Sequence, residues 1–191
     1  TEHIKEMVAI IKKLLDKKVA YKTKDGIYFS IKKFKKYGQL SKIKVKGLKA
    51  GASERLRKDE YDRERINDFA LWKFYDEEDG DVFWETEIGK GRPGWHIECS
   101  AMSTKHLGQP FDIHMGGIDL VFPHHENEIA QSEASTNKKF VNFWVHNEWV
   151  LADGKKMSKS LGNFYKLSDI TKKYSPMNLR YFYLTKSYRE K

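Results

Sequence analysis

Apolar residues in the first eighteen positions recur at three-and-four spacing: Ile4, Met7, Val8, Ile11, Leu14 and Leu15 fall on one helical face. Thr1 is placed to cap the start of this helix, and Lys17 and Lys18 suit the negative end of its dipole. The pattern then turns to alternation in "VAYKTKDGIYFSI", where Asp25-Gly26 between apolar runs predicts a hairpin. Residues 32–66 are Lys-rich and then mixed in charge, with Gly38, Gly47 and Gly51 as punctuation, and predict loops and short irregular pieces.

From "DFALWKF" (68–74) the character changes. "DVFWETE" (81–87) predicts a strand and "GKGRPGW" (89–95) a loop, with Pro93 opening a helix that carries "WHIECSAMSTKHL". "FDIHMGG" (111–117) predicts a short buried strand that ends in glycines, and Pro123 starts a second helix running to about Thr136. "VNFWVHNEWVL" (141–151), rich in β-branched and aromatic residues, predicts another strand. Strand, helix, strand, helix, strand implies an α/β layer with parallel pairing. "ADGKKMSKSLGN" (152–163) is a polar loop, followed by two helices capped by Ser168 and by Ser175-Pro176.

Charge adds a second layer to this picture. The 191 residues carry a formal +9, but residues 1–50 hold 15 Lys and no Arg against 4 acids, a local +11. The other 141 residues hold 21 basic and 23 acidic groups, a local −2. A Lys-rich face attracts polyanions such as nucleic acid, although the same residues also serve as ordinary solvated surface. The 26 aromatic residues (Trp, Tyr and Phe together) exclude a disordered chain. One cysteine forms no internal disulfide, which fits a reducing compartment. No apolar run of about 18 residues is present, so no membrane-spanning helix is expected, and the start lacks the pattern of a signal peptide. The chain begins without Met and in the manner of a helix interior, so a piece of a longer protein is expected.

Two clusters carry candidate chemistry. "VFPHHENEIA" (121–130) sets His124 four residues before Glu128 and His125 three before it. Either pair shares one helical face, and spacing does not choose between them. The zinc-protease pattern fails, because Ile129 stands where its second histidine is required. Cys99, on the preceding helix, would add sulfur to nitrogen and oxygen, a donor set that suits zinc. A lone cysteine is more often a small buried hydrophobe, and no fourth ligand is evident. The second cluster, "KKMSKSLGN" (155–163), places three lysines and two serines between a strand and a helix, groups suited to a phosphate clamp and equally common on plain surface loops. "HMGGID" (114–119) ends a strand with two glycines and an acid, which lets a ligand approach the backbone and offers an acceptor for a hydroxyl or ammonium.

Together these stretches resemble class I aminoacyl-tRNA synthetases, specifically the cysteinyl-tRNA synthetase family. "GRPGWHIECSAM" (91–102), "FDIHMGGIDLVFPHHENEIAQSE" (111–133) and "DGKKMSKSLGN" (153–163) are similar to that family in order and separation, with lesser support from "DFALWK" (68–73) and "YGQLS" (37–41). The resemblance implies the second half of a Rossmann-like class I synthetase catalytic core, an α/β fold, preceded by a small α+β insertion. Residues 1–67 would be the basic insertion, 68–152 the catalytic half-fold with a zinc site, and 153–191 the lysine loop and the start of a helical stem-contact region. It further implies Cys99, His124 and Glu128 as zinc ligands, His124 being preferred to His125 on this ground. Lys156 to Ser160 would form the family's Lys-Met-Ser-Lys-Ser loop, with Lys156 and Lys159 catalytic and Lys159 on ATP. Trp95 would wall the cysteine pocket, and Gly116, Gly117 and Asp119 would lie at the aminoacyl-adenylate. The implied substrates are L-cysteine, ATP with Mg2+, and tRNA(Cys), in the cytoplasm.

The family's His-Ile-Gly-His type motif, its first zinc cysteine and its anticodon-binding region are not in this sequence. An internal segment that is inactive alone is therefore expected, with a fourth zinc ligand upstream of Thr1. Two other readings remain at this stage: a cysteine-activating ligase with an amino-sugar acceptor, and a non-catalytic RNA-binding fragment using the basic N-terminal part.

Overall fold

In the computed structural model of the chain, residues 2–43, 68–152, 154–158, 160 and 162–189 are described. The opening apolar stripe forms helix α1 (Ile4–Asp16), which buries Met7, Val8, Ile11 and Leu14. Thr1 lies outside the described residues; the N-cap is His3, which makes no side-chain capping bond. The expected hairpin follows as β1 (Ala20–Lys22) and β2 (Gly26–Phe29), paired antiparallel. Gly26 opens β2 because of the neighbouring strand, β3 (Phe69–Phe74): a Cβ on Gly26 would lie 2.5 Å from the Trp72 carbonyl oxygen.

β4 (Gly91–Pro93) completes a four-stranded antiparallel sheet in the order β1-β2-β3-β4. Two expectations are corrected here. "DVFWETE" forms turns, with a single bridge from Trp84 to Gly91, so the strand lies instead in the stretch read as a loop. Pro93 is the last residue of β4 and opens no helix; helix α2 (Trp95–Leu107) starts after an N-cap at Gly94. The reason is close packing, since a Cβ on Gly94 would sit 2.0 Å from the Ala70 carbonyl oxygen. The sheet crosses the division expected after residue 67, because β2 from the N-terminal part pairs with β3.

The described fold divides into two compact units. The first comprises Thr1–His114 and Leu120–Trp144, and the second Met115–Asp119 and Val145–Lys191. In the first, α1 packs on α2 and on α3 (Glu126–Thr136). Phe29 and Phe69 stack at 4.9 Å in a core completed by Leu71, Trp72, Ile97, Ala101 and Ala130. The helices α2 and α3 meet through polar groups. Gln131 Nε2 donates to the His96 carbonyl and to Ser100 Oγ, both at 2.6 Å, and Ser132 Oγ bonds Ser100 Oγ at 2.8 Å.

β5 (Phe111–Gly117) and β6 (Val141–Asn147) form a two-stranded sheet. Their starts lie side by side: the Phe111 N–H donates to the Phe140 carbonyl at 3.3 Å, and Asn142 Nδ2 to Asp112 Oδ1 at 3.3 Å. The pair is therefore parallel, with α3 as the crossover expected from the pattern. The expected burial of β5 is corrected: Phe111 is buried, but Ile113 and Met115 are each 56% exposed. Before α3, residues Val121–His125 form one wide helical turn broken at Phe122, whose backbone is extended.

In the second unit the stretch expected to be a polar loop contains a small hairpin, β7 (Leu151–Ala152) with β8 (Lys155–Lys156). α4 (Leu167–Ile170) is preceded by Lys166 as N-cap, so Ser168 lies inside the helix and does not cap it. α5 (Pro176–Leu184) begins as expected, with Ser175 Oγ accepting from the Met177 N–H and Pro176 at the first helical position. No described helix is long and apolar enough to cross a membrane.

Candidate metal centre and phosphate loop

The candidate centre lies within the first unit. α2 supplies Trp95, His96 and Cys99 from its first turns; the wide turn before α3 supplies His124 and His125; α3 supplies Glu128; and β5 supplies His114. Ligand atoms of Cys99, His124 and Glu128 all lie within 4.8 Å of one another, as do those of His114, His125 and Glu128. Glu128 is fully buried and common to both groups. Its Oε2 accepts from His114 Nε2 at 2.6 Å.

Its Oε1 is 2.6 Å from His124 Nε2, yet the two lack hydrogen-bond alignment, so this buried oxygen is left without a partner. On the other side of the ring, the Nδ1 atoms of His124 and His96 are 2.9 Å apart. Burial, reinforced by the nearby His124, pushes His96 down to about 3, so it stays neutral. A buried carboxylate oxygen with no aligned donor thus stands beside a ring nitrogen, an arrangement that suits a bound cation.

The ionisation states agree. Burial works to raise Glu128, but the hydrogen bond from His114 and the closeness of the His124 ring outweigh it and hold the carboxyl at about 2. Burial, followed by the Glu128 and Glu98 carboxylates, pushes the Cys99 thiol up to about 12. Such a thiol ionises readily only when a metal ion takes the place of its proton. Sulfur, imidazole nitrogen and carboxylate oxygen together fit a borderline-soft divalent cation. The Trp95 ring lies 4.3 Å from the His124 ring, centroid to centroid, and is 47% exposed, so one edge of this group meets solvent.

The remaining site candidates lie in the second unit. Gly116 and Gly117 end β5, and Asp119 follows in a short turn, exposed. A Cβ on Gly117 would come within 2.4 Å of Asp119 Oδ1, the free end of an exposed side chain. Lys156 is exposed on β8, its ammonium 3.6 Å from the centroid of the Trp149 ring. Lys159 lies outside the described residues. The turn after β8 is tied by Asn163, whose Oδ1 accepts from the Ser158 N–H at 2.9 Å and whose Nδ2 donates to the Lys156 carbonyl at 3.2 Å.

The whole chain, residues 1–191, matches the family described as "tRNA synthetases class I (C) catalytic domain". The chain belongs to this family. It is 56% identical over 192 residues to a "Cysteine--tRNA ligase" of Protochlamydia amoebophila, covering 99% of this chain and 40% of that protein. It is 54% identical over 191 residues to one of Brachyspira hyodysenteriae (100% and 40%), and 56% identical over 189 residues to one of Methanococcus maripaludis (99% and 39%). The chain thus spans about 40% of the length of these curated relatives. A solved structure from Campylobacter jejuni, provisionally described as an arginyl t-RNA synthetase, superposes with a TM-score of 0.52 at 16% identity, covering 99% of this chain and 33% of that one. This likeness supports the class I fold.

Beyond His125, already weighed on spacing, the fold brings two further side chains to the centre, His96 and His114. His96 stands three residues before Cys99, the spacing of two groups on one helical face, and so carried a signal. His125 was legible as the alternative to His124. His114 reaches Glu128 from a strand 14 residues earlier, and spacing gave no sign of that pairing. Lysines from the N-terminal part meet lysines that follow α3. Lys17, Lys33, Lys36, Lys138 and Lys139 line a recess of about 650 Å³. Lys17 is spent on structure: its ammonium donates to the Ala134 and Ser135 carbonyls at 2.9 and 3.0 Å, at the C-terminal end of α3.

Proposed function

We propose that this chain is an internal part of the catalytic core of a cysteine-tRNA ligase, with Cys99, His124 and Glu128 as zinc ligands. One observation carries the reading: the three ligand atoms converge within 4.8 Å in a chain similar along its whole length to cysteine-tRNA ligases. In the reaction, a cysteine carboxylate oxygen attacks the α-phosphorus of ATP and pyrophosphate leaves; the tRNA 3′-terminal hydroxyl then attacks the adenylate carbonyl and AMP leaves. Zinc, when bound, supplies a centre that prefers a thiolate to a neutral hydroxyl.

That preference addresses the hard part of the task. Serine differs from cysteine by one atom, and shape alone rejects a near-isostere only about a hundredfold. In the reading proposed, Trp95 walls the side-chain pocket, and Gly116, Gly117 and Asp119 lie along the adenylate. Lys156 and Lys159 stabilise charge on the phosphates of Mg2+-bound ATP. The partners are tRNA(Cys), L-cysteine and ATP, and the setting is the cytoplasm, where a solitary cysteine stays reduced.

The test uses the full-length protein that contains this segment. Pyrophosphate exchange is measured with cysteine and with serine, before and after metal removal. Exchange driven by cysteine, absent with serine and lost with the metal supports the reading. Equal exchange with the two amino acids, or exchange unchanged in metal-free protein, overturns it.

A further inference from the structure

A second carboxylate is buried two residues before the metal-facing one. Glu126 is 0% exposed, and a two-residue offset turns it to the opposite side of α3 from Glu128. Both its oxygens are taken by the backbone of a single turn far away in sequence. The Gly38 N–H donates to Oε1 at 2.6 Å, and the Ser41 N–H to Oε2 at 2.9 Å. The next residue, Asn127, is 2% exposed, and its Oδ1 accepts from the hydroxyl of Tyr37, itself buried. One five-residue turn, Tyr37 to Ser41, thus grips two consecutive side chains at the start of the helix that bears Glu128.

A buried carboxylate is costly to desolvate unless strong donors replace water. If tethering α3 to the turn were the whole task, neutral side chains would suffice at lower cost. What the charged pair of bonds adds is angular definition, because a carboxylate with both oxygens engaged by fixed backbone donors cannot swivel. The metal centre requires such definition. Side-chain tips lie roughly 5–6 Å from a helix axis, so turning α3 by about 10° moves them ~1 Å. Metal-ligand distances tolerate about 0.2 Å. Gln131 and Ser132 fix the middle of α3 against α2; Glu126 and Asn127 fix its start, between His124 and Glu128.

We infer that Glu126 and Asn127, held by the Tyr37–Ser41 turn, are positioning residues that set the angle at which His124 and Glu128 meet Cys99 at the metal. The inference rests on the metal reading above. It makes the short motif "YGQLS" part of the metal centre's support, though none of its residues is a ligand.

Two variants of the full-length protein test it, Glu126→Gln and Tyr37→Phe. Each is titrated with Co2+, following the thiolate-to-metal absorption band, and with Zn2+ against a competing chelator; folding is checked by circular dichroism and thermal melting. Glu126→Gln sets an amide NH2 against a backbone N–H. It is expected to weaken metal binding about 10–100-fold, the usual loss on removing a supporting partner, and to alter the Co2+ band. Tyr37→Phe removes one hydroxyl and is expected to weaken binding by a smaller factor in the same direction. If Glu126→Gln does not fold, Tyr37→Phe decides. A folded variant with a lowered melting temperature but unchanged metal affinity and Co2+ band assigns these residues a merely structural role and overturns the inference. Failure of the wild-type protein to bind metal at the Cys99 thiolate is a different result, and it overturns the metal reading itself.

Discussion

α3 and the segment around β7 and β8 both gather functional side chains, yet they are built in opposite ways. α3 buries seven of its eleven residues, and six of those seven are polar: Glu126, Asn127, Glu128, Gln131, Ser132 and Ser135. Lys155 and Lys156 stand in solvent, and α5 beyond them buries no residue in this chain. The difference follows the work proposed for each. A group that must present fixed donor atoms to a cation has to be organised before the cation arrives, and rigidity of that kind comes from packing. A group that meets phosphate needs charge, and a lysine ammonium keeps its charge in water without a desolvation penalty.

The largest effect that would break this contrast comes from the buried side. Cys99→Ala or His124→Ala in the full-length protein is expected to abolish stoichiometric zinc retention and, with it, cysteine-dependent pyrophosphate exchange. Metal analysis after dialysis, alongside the exchange assay, gives the result. Full zinc content in either variant would mean that the trio is not the centre. In the lysine loop, Lys159→Ala is expected to slow adenylate formation by about 10²–10³, the range for removing one charge-stabilising donor. Cysteine affinity should stay within about threefold. Single-turnover kinetics with a cysteine titration separate the two quantities; a collapse of cysteine affinity would place this lysine in the amino-acid pocket.

A smaller effect sharpens the contrast. Asn163 ties the turn after β8 through the Ser158 N–H and the Lys156 carbonyl. One is part-buried and the other exposed, and each is worth about 0.5–1.5 kcal/mol net. Asn163→Ala is therefore expected to lower the rate of adenylate formation by roughly tenfold while leaving zinc content unchanged. A loss of zinc in this variant would show that the two regions are not independent.

What the sequence discloses follows the same contrast. α1 was legible because Met7, Val8, Ile11 and Leu14 are apolar and inside. The helices bearing the centre were harder to read, since their buried faces are largely polar and periodicity of apolar residues says little about them. Their place came from Pro, Gly and strand neighbours, and the start of α2 was misread because Pro93 sits at the end of a strand that is itself only three residues long. Among the proposed ligands, spacing narrowed the choice on one helix but could not separate His124 from His125. The structure keeps both beside Glu128, and preference for one rests on resemblance. His114 and the bond from Glu126 to the turn at Gly38 are contacts between segments that no local pattern encodes. β5 reads as a core strand and yet exposes Ile113 and Met115 in this chain, because alternation reports which residues are apolar and not what covers them.

The smallest expected effect tests whether an ionised carboxylate outside the centre behaves differently. Asp25 closes the β1–β2 hairpin, accepting from Thr23 Oγ1 at 2.6 Å, Tyr28 Oη at 2.6 Å and Lys73 Nζ at 2.7 Å. Partial burial works to raise it, but bonds from Lys73, Thr23 and Tyr28 prevail and hold it at about 2. Its folded value thus lies below the unfolded one near 3.9. The stabilisation is complete above pH ~4 and disappears as pH falls through about 2. The side chain is 43% exposed, so solvent screening limits the gain to about 1 kcal/mol or less. Asp25→Asn should therefore lower the denaturant midpoint slightly at pH 7, with the gap to wild type closing between pH 4 and 2. A gap that stays constant down to pH 2 would assign Asp25 a role in turn geometry alone. A gap of several kcal/mol would mean that this half-exposed carboxylate is held as firmly as the buried ones on α3, and that burial is not what separates the two kinds of site.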